Sequence, residues 1–181
     1  MLQSPSNFLF ASFDPGGAVS VDKPPLSFWI QAIPAGIFGL SKWAVTIPQV
    51  IAGCLAILLL YTTIKPTFGH AAALPAALIL ALLPSSVIID SRNEPDSLLA
   101  FILLIATFAI IRGVQQDRWA WIVGFAVLMG LAFNTKMLVA FVPLPTFIAY
   151  YFLSTNKQLQ EILIRTLWII SIVFTVSFSW T

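Results

Sequence analysis

The sequence predicts an all-α membrane protein, a polytopic bundle of about six transmembrane helices, and three observations lead there. Of the 181 residues, 59% are hydrophobic and only 9% are charged, against roughly 45–50% apolar content in soluble domains. The mean hydropathy is +0.96. Apolar runs recur at 43–64, 70–89, 97–112, 119–134, 137–153 and 164–180, and a crossing of about 30 Å of hydrocarbon takes roughly 17–25 such residues. The third to fifth runs are short.

The segment before the first run, residues 1–42, reads as an extracytoplasmic loop, and residues 43–181 as the transmembrane domain. "MLQSPSNFLFASF" has neither the basic start nor the apolar core of a secretory signal. An outer segment with no signal of its own needs an upstream helix, and "TVSFSWT" ends within an apolar run, so the sequence reads as an internal piece of a larger protein. Residues 26–40, "LSFWIQAIPAGIFGL", are apolar but too short to cross and are interrupted by Pro34 and two glycines. They predict an interfacial helix, with Trp29 and Trp43 at headgroup depth and Lys42 extending its stem to reach the headgroups. A re-entrant or buried helix is the other reading of such a stretch.

The first span holds the only cysteine, Cys54, which excludes a disulfide framework within the chain and a cysteine metal cluster and reads as a small filler. His70, in "TFGHAA", reads as a polar loop residue. With residues 1–42 outside, the loops alternate, and Lys65, Arg112, Arg118, Lys157 and Arg165 fall inside while Lys23, Lys42, Arg92 and Lys136 fall outside. That is a weak positive-inside bias. The acids are more lopsided: Asp14, Asp22, Asp90, Glu94 and Asp96 fall outside, and only Asp117 and Glu161 inside. Acids contribute little to topology, so their concentration on one face suggests a site, although loops are polar in any membrane protein.

Three outer clusters carry that suggestion. In "VDKPPL" two prolines stiffen the loop and fix the direction of the preceding charges. Lys23 suits a phosphate, while Asp22 suits an ion pair with it, a divalent cation or a substrate hydroxyl; a surface ion pair beside a turn would look the same. "IIDSRNEPDSLL" packs Asp90, Arg92, Glu94 and Asp96 into seven residues. Asp96 reads as the N-cap of the next helix, but one cap needs one carboxylate. In "AFNTKMLVAF", Asn134, Thr135 and Lys136 separate two short spans on the outer side. A cation against the positive-inside tendency invites an anionic partner, and a snorkelling lysine is the alternative. No glycine-rich phosphate loop occurs, and no basic patch supports nucleic-acid binding.

"FASFDPGGAVSVDKPPLSFWIQAI", then "SRNEPDSLL" and "GLAFNTKML", resemble the N-terminal membrane half of the polytopic glycosyltransferases with the GT-C fold. The likeness is to the group of the dolichyl-phosphate-mannose protein mannosyltransferases and the lipid A aminoarabinose transferase, and most of all to its bacterial mannosyltransferase-like members. It extends over nearly the whole chain. The resemblance implies an incomplete GT-C bundle in the bacterial plasma membrane, with its active face extracytoplasmic. It implies inverting transfer of a mannose-like hexose from a polyprenyl-phosphate carrier to an extracytoplasmic acceptor hydroxyl, with membrane lipid around the site and no nucleic acid. By matching positions, Lys23 corresponds to the lysine on the carrier phosphate, Asp22 to an acid implicated in catalysis and with a divalent metal ion, and Asp96 to the active-site acid of the second outer loop. Arg92, Glu94 and Lys136 become candidate substrate-binding residues beside them. Asp22 is shorter than the glutamate some relatives carry, and the family's first helix and the acid after it would precede Met1.

Two readings from other classes stand beside this one. A secondary transporter or flippase would place charges near the middle of spans and pair broken helices, whereas these charges fall at predicted span ends on one face. A non-catalytic fragment has the same sequence features as an enzyme piece.

Overall fold

The computed structural model describes residues 24–179, and among them every regular element is helical. Asp22 and Lys23 lie outside the described residues. The chain divides into two compact units, one running through Phe101 and the other from Ile102.

In the first unit α1 (Leu26–Phe38) packs on α2 (Lys42–Phe68). The predicted short apolar helix is therefore present, with Pro34 buried in its middle. Ser41 has extended backbone and caps α2, its Oγ accepting the Ala44 N–H at 3.4 Å, which satisfies one of the donors a helix start leaves unpaired. At 27 residues α2 rises about 40 Å and exceeds the hydrocarbon thickness. Gly69, at φ +77°, reverses the chain, and its N–H closes on the Lys65 carbonyl at 3.0 Å. A side chain at that φ would be strained.

Helix α3 (His70–Leu82) returns along α2. The buried positions here are small, Ala52, Gly53 and Ala56 on α2 and Ala73 and Ala77 on α3, so the two backbones approach closely without a bulky core. The 70–89 run is not one straight span. Pro84 pushes Leu83 into extended backbone, and α4 (Pro84–Asp90) leaves α3 at a 60° bend. Helix α5 (Asp96–Gln115) follows, and its Leu98 and Phe101 close an apolar groove of 370 Å³ with Ile33, Pro34, Ile47 and Ala52 of α1 and α2.

The second unit takes the rest of α5, then α6 (Trp119–Lys136), a 3-10 helix (Met137–Phe141), α7 (Leu144–Ser154) and α8 (Leu159–Ser177). Its core joins Ala106, Ala109 and Ile110 of α5 to Ile122, Phe125 and Met129 of α6, with Tyr151 of α7 and Ile169 and Val173 of α8. Phe125 meets Phe147 edge-on at 5.3 Å, a favoured aromatic geometry. Helices α6 and α8 run parallel: Arg165 lies over the Trp119 ring at 5.2 Å near their starts, and the Asn134 side chain reaches the Val176 carbonyl near their ends. The chain between them, 137–158, must therefore travel back the length of the unit.

Four helical stretches are long and apolar enough to cross a membrane, Lys42–Phe68, Asp96–Gln115, Trp119–Phe141 and Leu159–Ser177, with the bent α3–α4 pair as a fifth. This makes the chain an integral membrane protein. The count differs from the six expected, and the difference falls on 137–153, predicted as a span in its own right. Its first residues continue the α6 stretch as a 3-10 turn, and α7, with 11 residues, is too short to cross as a single helix. Asn134 and Thr135, expected in a loop, are buried helical residues.

Candidate active site

The predicted site residues fall in both units. In the first, the turn between α4 and α5 carries Arg92 and Glu94, both exposed. Asp96 is half-buried and opens α5. It is not the N-cap: Pro95 stands before it, and the Pro95 carbonyl accepts the Leu99 N–H at 2.9 Å. Proline has no N–H to leave unpaired, and the backbone it fixes begins the helix, so Asp96 falls within the first turn. There its carboxylate still faces the positive end of the helix dipole. The next residue, Ser97, is buried with its hydroxyl unpaired.

Asp90 belongs to the same acidic segment but is held differently. It ends α4 half-buried, and its carboxylate lies against α2 at Gly53, where any Cβ would overlap it. Asp90 makes no hydrogen bond or ion pair among the described residues. One turn earlier on α2, Gln49 is fully buried, and neither atom of its amide has a partner. Sequence reasoning counted Asp90 as an outer-loop acid and passed over Gln49. The available signal was a polar residue four positions before a glycine within an otherwise apolar span.

In the second unit Lys136 is half-buried at the last residue of α6. The end of that helix is firmly held. Asn134 Nδ2 donates to the Val176 carbonyl at 2.9 Å, Thr135 Oγ1 donates to the Leu131 carbonyl at 3.0 Å, and Gly130 admits Val176 where a Cβ would collide with it. Met137, at φ +50°, then turns the chain sharply into the 3-10 helix.

A cluster of ion pairs among the described residues of this unit lies near the other end of α6. Lys157 lies 2.8 Å from Asp117 and 3.4 Å from Glu161, and Arg165 lies 2.7 Å from Glu161. The hydrogen bond from Lys157 holds the Asp117 carboxyl below its ordinary range, and the same bond raises Lys157. Asp117 takes φ +46°, the left-handed conformation that Asp tolerates at a helix end, and the following Arg118 N–H closes on the Gly113 carbonyl at 3.2 Å. This cluster fastens the α5–α6 turn to the start of α8 and includes none of the predicted site residues.

No group of three His, Cys, Asp or Glu side chains among the described residues is arranged to hold a metal ion. Asp22, the residue expected to bind a divalent cation, lies outside them.

The sequence profile described as dolichyl-phosphate-mannose-protein mannosyltransferase matches residues 22–180. The chain belongs to that family. Two Bacillus subtilis (strain 168) relatives, "Putative mannosyltransferase YycA" and "Putative mannosyltransferase YkcB", are 44% and 39% identical over 180 residues, or 99% of this chain. The chain spans only 26% and 25% of their lengths. Among solved structures, the apo crystal structure of ArnT from Cupriavidus metallidurans superposes with a TM-score of 0.74 at 22% identity, over 97% of this chain and 34% of that one. The fold is accordingly that of the GT-C glycosyltransferases, of which the chain holds a part.

Proposed function

We propose that the complete protein transfers a mannose-like hexose from a polyprenyl-phosphate carrier to a hydroxyl-bearing acceptor outside the cytoplasm of a bacterial cell. The observation that carries this is the family match over residues 22–180, which begins at Asp22 and takes in all three polar clusters. The fold likeness over 97% of the chain supports it.

In the proposed reaction the bond from the anomeric carbon to the carrier phosphate breaks, and a bond from that carbon to the acceptor oxygen forms on the opposite face. The electron pair leaves with the polyprenyl phosphate. A fixed cation at a low-dielectric boundary stabilises this growing charge without reorganising, the role assigned to Lys23. The acceptor proton passes to a carboxylate acting as general base, assigned to Asp96. Arg92, Glu94 and Lys136 are assigned to substrate binding. Asp22 either pairs with Lys23 or holds a divalent cation, which would supply further positive charge at the phosphate.

The test is to express the complete reading frame, incubate its membranes with polyprenyl-phosphate sugars labelled in the sugar, and follow the label. Transfer to an acceptor with release of polyprenyl phosphate is the expected result. Movement of the lipid across the bilayer without a new glycosidic bond would instead make the protein a flippase.

A further inference from the structure

We propose that Asp90 and Gln49 form a hydroxyl-recognition pair that binds the sugar of the donor, an inference that rests on the glycosyltransferase reading above. Gly53, against which Asp90 lies, is three turns into α2, about 16 Å of rise from Lys42. The carboxylate is thus recessed along a helix long enough to cross the membrane, and is not at its exposed end. Ionisable groups placed there are costly and normally paired. Asp90 has no partner among the described residues.

Gln49 is the second observation. It lies four residues before Gly53, on the same stripe of α2 and about 6 Å away along the axis. Its amide is fully buried with both polar atoms unpaired, in a helix whose other buried positions are alanine and glycine. An amide left this way costs stability, and nothing in the packing of α2 on α3 requires one. The glycine is what brings the two groups together, since a larger residue at position 53 would push Asp90 off the helix.

The chemistry of the pair selects its ligand. A carboxylate only accepts hydrogen bonds, and a carboxamide both accepts and donates. Two such groups one helical turn apart suit adjacent hydroxyls along one edge of a sugar ring. They do not suit the carrier phosphate, which Asp90 would repel, and they provide too few ligands for a metal ion. Asp90 is half-exposed and meets the sugar first. Gln49, one turn nearer the start of α2, is assigned the neighbouring hydroxyl.

The test measures binding to the purified full-length protein in detergent, using polyprenyl-phosphate mannose and bare polyprenyl phosphate as probes. The expected result is that the mannosylated carrier binds about tenfold or more tightly than the bare one, as one or two well-made hydrogen bonds would give. Asp90→Asn and Gln49→Leu should each remove most of that ratio and leave the affinity for the bare carrier unchanged. Should Gln49→Leu not fold, the isosteric Asp90→Asn decides alone. A ratio near one in the parent protein, or a ratio kept in the variants, overturns the pair. Tighter binding of a carrier whose sugar bears an ammonium in place of a hydroxyl overturns it too, making Asp90 a cation site. Sugar-dependent binding without transfer would sink the proposed reaction and leave the pair standing, whereas transfer with the ratio intact in both variants would do the reverse.

Discussion

Asn134 of α6 donates its side-chain amide to the Val176 carbonyl of α8 at 2.9 Å, although 42 positions separate them in the chain. With Arg165 over Trp119 near the starts of the same helices, this contact makes α6 and α8 parallel. A connection that no single helix is long enough to span must then return from one end of the unit to the other.

Topology is the first consequence. With Cys54 replaced by Ala in the complete protein, single cysteines at Gln115 and Asn156 should share one side of the membrane, because Asp117 and Lys157 are in contact. A cysteine at Met137, at the far end of α6, should label from the opposite side with an impermeant thiol reagent. Labelling of Met137 and Asn156 from the same side would contradict the return path between them.

The α6–α8 seam should be sensitive to substitution. Asn134→Leu loses the bond to Val176 and should cost about 0.5–1.5 kcal/mol. Gly130→Leu, which must displace Val176, should cost about 1–3 kcal/mol through overpacking. Thermal unfolding in detergent reads both. A gain in Tm from either variant would show that the seam does not hold the unit together.

Gly53 and Asp90 should behave as a coupled pair. Gly53→Ala introduces a Cβ where the Asp90 carboxylate lies, so it should lower stability alone and be largely neutral when combined with Asp90→Gly. Sites in contact are not additive, and a double-mutant cycle measures their coupling. Strict additivity would mean that the two residues do not touch.

For the proposed reaction, Lys23→Met should reduce transfer by about 100–1,000-fold, the usual loss on removing a group that stabilises developing charge. Asp96→Asn should reduce it by about 100–10,000-fold as a lost general base, with Tm almost unchanged, since Asn at the first turn leaves the Pro95–Leu99 bond intact. A fully active Asp96→Asn variant would return Asp96 to a purely helical role.

The Asp117–Lys157 pair makes a prediction about pH. The Asp117 carboxyl is lowered in the folded protein, so its contribution is present above the ordinary value of 3.8 and is lost as pH falls through the lowered one. Lys157 is raised, so its contribution is complete below 10.5 and is lost as pH climbs past that value. Across the neutral range the Tm difference between the parent and Lys157→Gln should stay flat with pH and shrink with added salt, because Asp117 is exposed. A difference that titrates near neutrality would point to some other group.

Composition and the length of the apolar runs determined that this is a helical membrane protein, because a bilayer leaves the backbone of such a chain little besides helix. The short helix over Leu26–Phe38 and the α2 and α5 spans were legible for the same reason, as were the motifs that place the chain in its family. The break at Pro84 was not read, although the proline was visible, because an apolar count is blind to direction. The return through 137–153 was read, but as one straight span; that it is a 3-10 turn followed by an 11-residue helix was not, and its course is set by contacts from Asp117 to Lys157 and from Asn134 to Val176 across 40 and 42 positions. Asp96 was singled out as a candidate from its motif, but its place inside the first turn depended on the Pro95 carbonyl. Gln49 and Asp90 are 41 positions apart, and although a polar residue four positions before a glycine marks Gln49, nothing local links the two. Only the packing of α2 against α4, with a glycine at the point of approach, places the Asp90 carboxylate on α2 four residues from the buried, unpaired Gln49.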